Sequence, residues 1–526
     1  MGLRSLVYDR AMAAAEDVAI VDVARSWTYG EVADQVGRTA AALMHAEVRP
    51  GDRVGVHFNK SADGFIAMHA VVSIGAVAVP LDPASPATRL ARICKELDIS
   101  VVLSHAPRRK TIEALHDLQY LRAVIGLDAD LSSAKAITPA EVNNFESRPP
   151  TPSGDDSLAY IVTTSGSTGE PKGICHTHAS GLAYAEMSVR TFDIRSVDRI
   201  SDISPYHFDI STFSLWATPL AGATNIIINE AYQRLPASHS QLLADEAVSI
   251  WYSVPFLLQQ LVVRGDLTNR NLDALRWVQF AGEVAPPAMI AKMMSYCPNA
   301  RFANSFGPAE VNVCTMAVFD SPPQTDEPLS IGFPVDRTQV RVTHQTAESP
   351  IAEHEVAGSE VGEMWVATPQ LMTGYWNRDE TNALVTKTVD GDRYYRTGDL
   401  VSRTETGEFS FHGRVDHQVK VRVFRIELGG IETLLESVVH TSQTAENVVV
   451  AVLRSSTGED ELIAGILGAT SAFSSSDFLS AAASVLPAYA VPTRTALISE
   501  PAFTGSGKLD RRVLRASTIE EVRDEK

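Results

Sequence analysis

Leu158–Gly173 reads LAYIVTTSGSTGEPKG. Ala159–Val162 is apolar and predicts a buried strand. The chain then runs through Thr163, Thr164, Ser165, Gly166, Ser167, Thr168 and Gly169 into Pro171-Lys172-Gly173. Glycines permit close backbone approach. Successive free N–H groups make an anion-binding concavity. Five hydroxyls and Lys172 add donors, so the segment suits a polyphosphate. Its spacing is neither G-x-x-x-x-G-K-[ST] nor G-x-G-x-x-G. A flexible Gly/Ser linker is the other reading, but a linker has no reason to follow an apolar strand directly and to end in PKG.

Working outward, apolar β-branched runs alternate with helical patterns. Arg53–Phe58, Val77–Leu81 and Ser100–Ser104 predict strands, and helices are expected over 62–74 and 86–97. This is the βαβ pattern of a mainly parallel sheet. Asn144–Ser157 and Ser321–Pro328 read as loops, rich in Pro, Ser and Asp. After Val340 the texture turns to short strands with turn signals, which predicts a small β-rich subdomain.

A chain of 526 residues is too long for one small domain. Hydrophobic residues at 45% and charged residues at 21% allow a large core without staples. Lys plus Arg is 45 and Asp plus Glu is 64, a balance of −19, which argues against a nucleic-acid partner. Cys94, Cys175, Cys297 and Cys314 form no C-x-x-C pair, so a zinc ribbon is excluded and reduced thiols in a cytoplasmic protein are expected. The longest apolar run, Gly64–Leu81, is broken by His69, Ser73 and Pro80. It reads as a buried helix and strand, with no membrane partner expected.

TSGSTGEPKG resembles the signature loop of the adenylate-forming superfamily. Further motifs follow in that family's order: WTYGEV (Trp27–Val32), GAVAVPLDP (Gly75–Pro83), FDIS (Phe208–Ser211), NSFGPAE (Asn304–Glu310), GEMWVATPQLMTGYW (Gly362–Trp376), YRTGDL (Tyr395–Leu400), GRVDHQVKVRVFRIELGGIE (Gly413–Glu432), LPAYAVP (Leu486–Pro492) and GSGKLDR (Gly505–Arg511). FDIS, GRVDHQVK and GKLDR are similar to the amino-acid-activating branch, the adenylation domains of nonribosomal peptide synthetases. The resemblance implies an α/β fold: a large N-terminal domain (1–414) of mixed β-sheets layered with helices and a small β-barrel-like subdomain, then a small mobile α+β C-terminal domain (415–526).

The activity implied is attack of an amino acid carboxylate, α or β, on the α-phosphorus of ATP, with release of pyrophosphate. Transfer of the aminoacyl group to the phosphopantetheine thiol of a carrier protein in trans would follow. The resemblance assigns Thr164, Ser165, Gly166, Ser167, Thr168, Gly169 and Lys172 to the phosphates and Glu310 to Mg²⁺. Asn304 and Phe306 with Gly307 would hold adenine on one side, Gly282 and Glu283 on the other. Asp399 would receive the ribose hydroxyls, with Arg414 beside it. Lys508 would bridge the substrate carboxylate and the α-phosphate, a donor of a kind worth a factor of ~10²–10³ in rate. Lys420 would serve thioester formation after rotation of the C-terminal domain about Asp416.

Within FDIS, Asp209 matches the carboxylate that pairs with a substrate ammonium. The other reading is an N-cap for a helix beginning at D-I-S-T. The pocket is expected to be lined by Asp209, Ile210, Phe213, Ser253, Gln279, Ala281, Ser305, Val313 and Cys314. Ala309, Gly430 and Val423 depart from the family's pattern, and Val423 is expected to narrow the thiol channel. Gly430 is expected at the surface. The rival readings are an acyl- or aryl-CoA ligase and a non-catalytic ligand-binding relative. Asp209 argues against the first, and the retained Glu310, Asp399 and Lys508 against the second.

Overall fold

The computed structural model describes residues 2–23, 25–117, 121–128, 131, 134–152, 154–165, 171–324, 328–344, 356, 358–415, 418–421, 424–454, 460–498 and 520–521. The βαβ reading holds from its first element. Arg53–His57 is a strand buried beyond its first residue. Ser61 then accepts Gly64 N at 3.3 Å and starts the helix Ala62–Ser73. Nearly every side chain of that helix is buried, which explains why its sequence shows no polar face. The strand Val77–Pro80 returns parallel to Arg53–His57. The predicted third strand is Val101–Ser104, and it pairs on the other side of Arg53–His57.

Chain contacts divide the molecule into two units. One comprises Met1–Pro83, Leu97–Thr163 and Gly173–Val415; the other comprises Ala84–Glu96, Thr164–Lys172 and Asp416–Lys526. Among the described residues, the larger unit is built on two large sheets and one small one. An eight-stranded sheet runs in the order Gly374–Tyr375, Pro171–Thr177, Leu158–Ser165, Val77–Pro80, Arg53–His57, Val101–Ser104, Ala123–Ile125, Lys135–Ile137. A nine-stranded sheet has the inner parallel strands Arg301–Phe306, Trp277–Phe280, Ile250–Ser253, Arg199–Asp202 and Thr224–Ile227, in that order. Inner strands of this kind are buried on both faces, so they read as continuous apolar runs. The region after Val340 forms a five-stranded antiparallel sheet from Gln339–Thr343, Gly362–Ala367, Thr386–Val389, Asp392–Arg403 and Phe409–Arg414.

WTYGEV opens a long helix, Tyr29–His45. Thr28 and Glu31 form a reciprocal capping box at its start, which satisfies two of the helix's orphan donors.

In the smaller unit the helix Leu428–Ser442 buries Ile431, Leu435 and Val439, positions four apart on one face. They share a core with Val448, Val450, Ala464 and Ile466. Each such fully buried side chain contributes about 1.5–3 kcal/mol. Gly430, expected at the surface, is buried in the first turn of this helix. No helix among the described residues is long and apolar enough to cross a membrane.

Candidate functional site

Parallel sheets present ligands with the carboxyl ends of their strands. Ile250–Ser253, Trp277–Phe280 and Arg301–Phe306 lie side by side in register: Tyr252 is opposite Gln279, Gln279 opposite Ala303, Ser253 opposite Phe280, and Phe280 opposite Asn304. Partners in register share a face and neighbours along a strand alternate. One face therefore carries Tyr252, Gln279, Ala303 and Ser305. The other carries Ser253, Phe280 and Asn304. Ser253, expected in the amino acid pocket, is on the opposite face from Gln279 and Ser305. Tyr252 is on the face that they share. The period of two along IWYS contains that distinction, but which phase faces the pocket depends on pairing with Gln279, which the sequence does not display.

The face bearing Tyr252 is walled by an apolar cluster that contains Phe213, Tyr252, Ala281, Ala303 and Val313, with Ile210 packed against it. Phe213 stands at the start of the π-turn Phe213–Ala217. Its ring meets Tyr252 edge-on at 5.3 Å and Phe192 at 5.7 Å. A π-turn leaves backbone carbonyls off the usual ladder, and His69 Nε2 lies 3.1 Å from that of Leu215. Gln279 Nε2 donates to Ser305 Oγ at 2.9 Å, and both residues are buried. Cys314 is buried in a different cluster, with Ala309, Val311 and Met372.

Asp209 is half-buried. Its Oδ1 accepts the N–H of Ile210 at 3.0 Å, and its backbone oxygen accepts the Thr212 hydroxyl at 2.5 Å. A capping side chain reaches the second or third N–H of its helix; the Asp209 side chain accepts the N–H of the residue that directly follows it. The charge acts on a set of buried tyrosines. Burial first, and Asp209 after it, push the Tyr252 hydroxyl well above the ordinary phenol range. Burial leads for Tyr184 and Tyr160 as well, with Asp209 adding to both. All three stay protonated and present O–H groups.

The loop carrying Asp209 rests on a buried network absent from the sequence-based expectations. Lys60 forms an ion pair with Asp202, both 1% exposed. Asp202 also accepts Ser214 Oγ at 2.5 Å and Asn225 Nδ2 at 3.1 Å. Lys60 Nζ lies 3.9 Å from the centre of the Tyr206 ring, whose hydroxyl donates to Ser61 O at 2.6 Å. Burial pulls the Lys60 ammonium below the usual lysine range, against the opposing pull of Asp202. Ser211 Oγ closes the loop from the other end on the Phe208 carbonyl at 2.7 Å.

The expected nucleotide residues of the larger unit include a second group of buried polar side chains. Asn304 is 8% exposed and donates Nδ2 to Ser330 O at 2.9 Å, which turns its carbonyl oxygen the other way. The Phe306 ring lies 5.5 Å from that of Phe411. Gly307 follows at a turn where a Cβ would stand 2.1 Å from Asn312 O, so only glycine fits. Glu310 is 1% exposed and accepts the Tyr375 hydroxyl at 2.7 Å. His176 Nε2 lies 3.0 Å from Ala309 O, and burial pulls this imidazole down to about 4. Arg414 Nη1 donates to Asp399 Oδ1 at 2.5 Å across adjacent strands. Gly282 has φ +98°, a conformation that favours glycine. Glu283 accepts Phe256 N at 3.1 Å and so holds the helix Pro255–Arg264.

No group of three or more His, Cys, Asp or Glu among the described residues is arranged to hold a metal. Mg²⁺ does not need one: it is commonly held by one or two carboxylates together with substrate phosphates. The buried Glu310 carboxylate fits that use. Gly166, Ser167, Thr168, Gly169, Asp416, Val423 and Lys508 lie outside the described residues. Lys420 is in the strand Gln418–Val421, and Thr164 and Ser165 end the strand Leu158–Ser165; the side chains of Lys420 and Ser165 are not among those described. Lys172 is half-buried at the start of Pro171–Thr177.

Comparison with known proteins gives a consistent picture. The family model described as AMP-binding enzyme matches residues 7–376. An L-proline–[L-prolyl-carrier protein] ligase of Pseudomonas fluorescens is 31% identical over 497 residues, 94% of this chain and 94% of that protein. A linear gramicidin synthase of Brevibacillus parabrevis is 31% identical over 506 residues, 95% of this chain, which spans only 6% of that protein. Among solved structures, the adenylation domain AlmE of Vibrio cholerae, in complex with glycyl-adenosine-5'-phosphate, superposes with a TM-score of 0.84 at 21% identity, covering 98% of this chain and 97% of that one.

Proposed function

We propose that this chain, which belongs to the AMP-binding enzyme family, uses ATP to convert an amino acid, α or β, to its aminoacyl-AMP. Pyrophosphate leaves, and the aminoacyl group then passes to the phosphopantetheine thiol of a separate carrier protein. The observation that carries the reading is Asp209: a carboxylate acting on buried tyrosines beside an otherwise apolar and neutral cluster. A cation is the complement of a carboxylate in such surroundings. In this reading the substrate's ammonium is such a cation. The full-length similarity to a proline–carrier-protein ligase supports the class of substrate and of acceptor.

In this reading the carbonyl oxygen of Asn304 receives the adenine amino group, because its Nδ2 is committed to Ser330. Phe306 packs on the base, and Gly282 and Glu283 line its other side. Asp399, fixed in place by Arg414, accepts the ribose hydroxyls. Glu310 would hold Mg²⁺, which when bound would offset the charge between the carboxylate and the phosphates. Thr164–Gly169 and Lys172 receive the phosphates. Lys508 steers the substrate carboxylate, and Lys420 serves the thioester step after a change about Asp416. Preorganised groups of this kind lower the barrier because they need no rearrangement as charge develops. The four cysteines are free and buried, in keeping with a cytoplasmic enzyme.

The test is ATP–pyrophosphate exchange over a panel of α- and β-amino acids, followed by transfer to CoA or to a pantetheinylated carrier. The reading expects exchange with at least one amino acid and transfer to the carrier in preference to CoA. Exchange with no amino acid contradicts it. Transfer to CoA alone would favour a CoA ligase instead.

A further inference from the structure

Gln279 is 1% exposed. Its Nε2 is committed to Ser305 Oγ at 2.9 Å, and its Oε1 is buried with no hydrogen-bond partner among the described residues. Buried polar atoms are nearly always paired, so an orphaned acceptor calls for a donor. Gln279 stands directly opposite Tyr252 on the same sheet face, and Tyr252 lies within the field of Asp209. Ile210, the neighbour of Asp209, packs against the cluster that contains Tyr252 and Ala281, which sets the orphaned oxygen beside the wall next to the carboxylate assigned to the amine.

We propose that Gln279 Oε1 receives a hydrogen-bond donor from the substrate's side chain, so that the substrate is an amine-bearing acid with a neutral hydroxyl or amide side chain. This rests on the amino acid reading above and deepens it. A donor is required because the bare atom is a carbonyl oxygen, which only accepts, while Nε2 of the same amide donates to Ser305. Neutrality is required because Gln279, Ser305, Tyr252, Phe213 and Ala281 carry no charge at neutral pH, and a second ammonium among them would be desolvated without a counter-ion. A site that hydrogen-bonds a substrate group discriminates strongly against analogues that lack it, because its own polar atom is then left bare.

The experiment is pyrophosphate exchange by the full chain on matched sets. Serine, threonine, homoserine, asparagine and glutamine, with their 3-amino isomers, are compared with isosteric apolar amino acids and with O-methyl or N,N-dimethylamide analogues. The best donor-bearing substrate is expected to exceed its apolar and its methylated counterpart by about tenfold or more in kcat/KM, the factor for one buried hydrogen bond. Gln279→Met is expected to erase that preference. Ser305→Ala, which releases Nε2, is expected to raise activity on the methylated, acceptor-only analogues. A wild-type enzyme that prefers the apolar member of each set overturns this proposal and leaves amino acid activation standing. Exchange with no amine-bearing acid overturns both.

Discussion

Asp202 and Asp209 stand on one short connection of the larger unit, yet they are treated in opposite ways. Asp202 is closed within the protein: Lys60 neutralises it, Ser214 and Asn225 donate to it, and it is 1% exposed. Asp209 is half-buried, accepts the N–H of its own neighbour and acts on tyrosine hydroxyls. The first charge serves the fold, because a buried pair holds the loop at Tyr206. The second is the charge that the proposed function gives to the substrate's ammonium. Residue type does not separate the two roles; the surroundings do.

The comparison is sharpest at neutral pH, because acid is expected to disturb everything at once. Burial pulls His57, His69 and His239 down to about 3 and His176 to about 4, against an ordinary value of 6.5. Above pH 6.5 these groups are neutral in both the native and the unfolded chain, and they leave stability unchanged. Below 6.5 the unfolded chain binds protons that the native chain refuses, so stability falls until the native imidazoles titrate near 3–4. Each contributes about 1.4 kcal/mol per pH unit, so together they amount to several. A Tm that drops steeply between pH 7 and pH 5, with a shallower slope in His239→Phe, is the expected result. A flat profile would show that the buried imidazoles are not excluded from protonation.

The next largest effect concerns the closed charge. Lys60→Met leaves Asp202 buried without its cation and should destabilise the larger unit by about 3–5 kcal/mol in urea unfolding. Adding Asp202→Leu should restore much of that loss. If the single variant is as stable as the parent, Asp202 is not held in the way described and the contrast with Asp209 fails.

A smaller effect separates adjacent residues of one strand. Tyr252→Leu should change kcat/KM for the amino acid by about tenfold or more, the scale of a reshaped pocket wall. Ser253→Ala, on the opposite face, should leave it within about threefold. Equal effects would contradict the register of Ile250–Ser253 with Trp277–Phe280.

Much of this was legible in the sequence. The run from Arg53 to Ser104 announces its elements because short apolar β-branched runs alternate with longer helical stretches. Asp209, Glu310 and Asp399 are findable because each sits in a motif whose neighbours constrain it. The facing of Tyr252 and Ser253 was not legible, since it depends on which phase of an all-buried strand meets Gln279 across the sheet. Lys60–Asp202 was hidden for a related reason. Its two members are far apart in the chain, and each alone resembles an ordinary surface charge. Gly430 read as a surface position because it stands where the resembling motif carries an acidic residue, whereas here it is buried in the helix Leu428–Ser442.

The central claim is that Asp209 takes the substrate's amine. Its most direct test is kcat/KM for pyrophosphate exchange in the parent and in Asp209→Asn, each with the best amino acid and with its deaminated counterpart. We expect the substitution to cost the amino acid a factor of about 10²–10³, the scale of one lost charge partner, and to leave the deaminated acid unchanged or improved. If amino acids are still activated at the parental rate, the claim is contradicted.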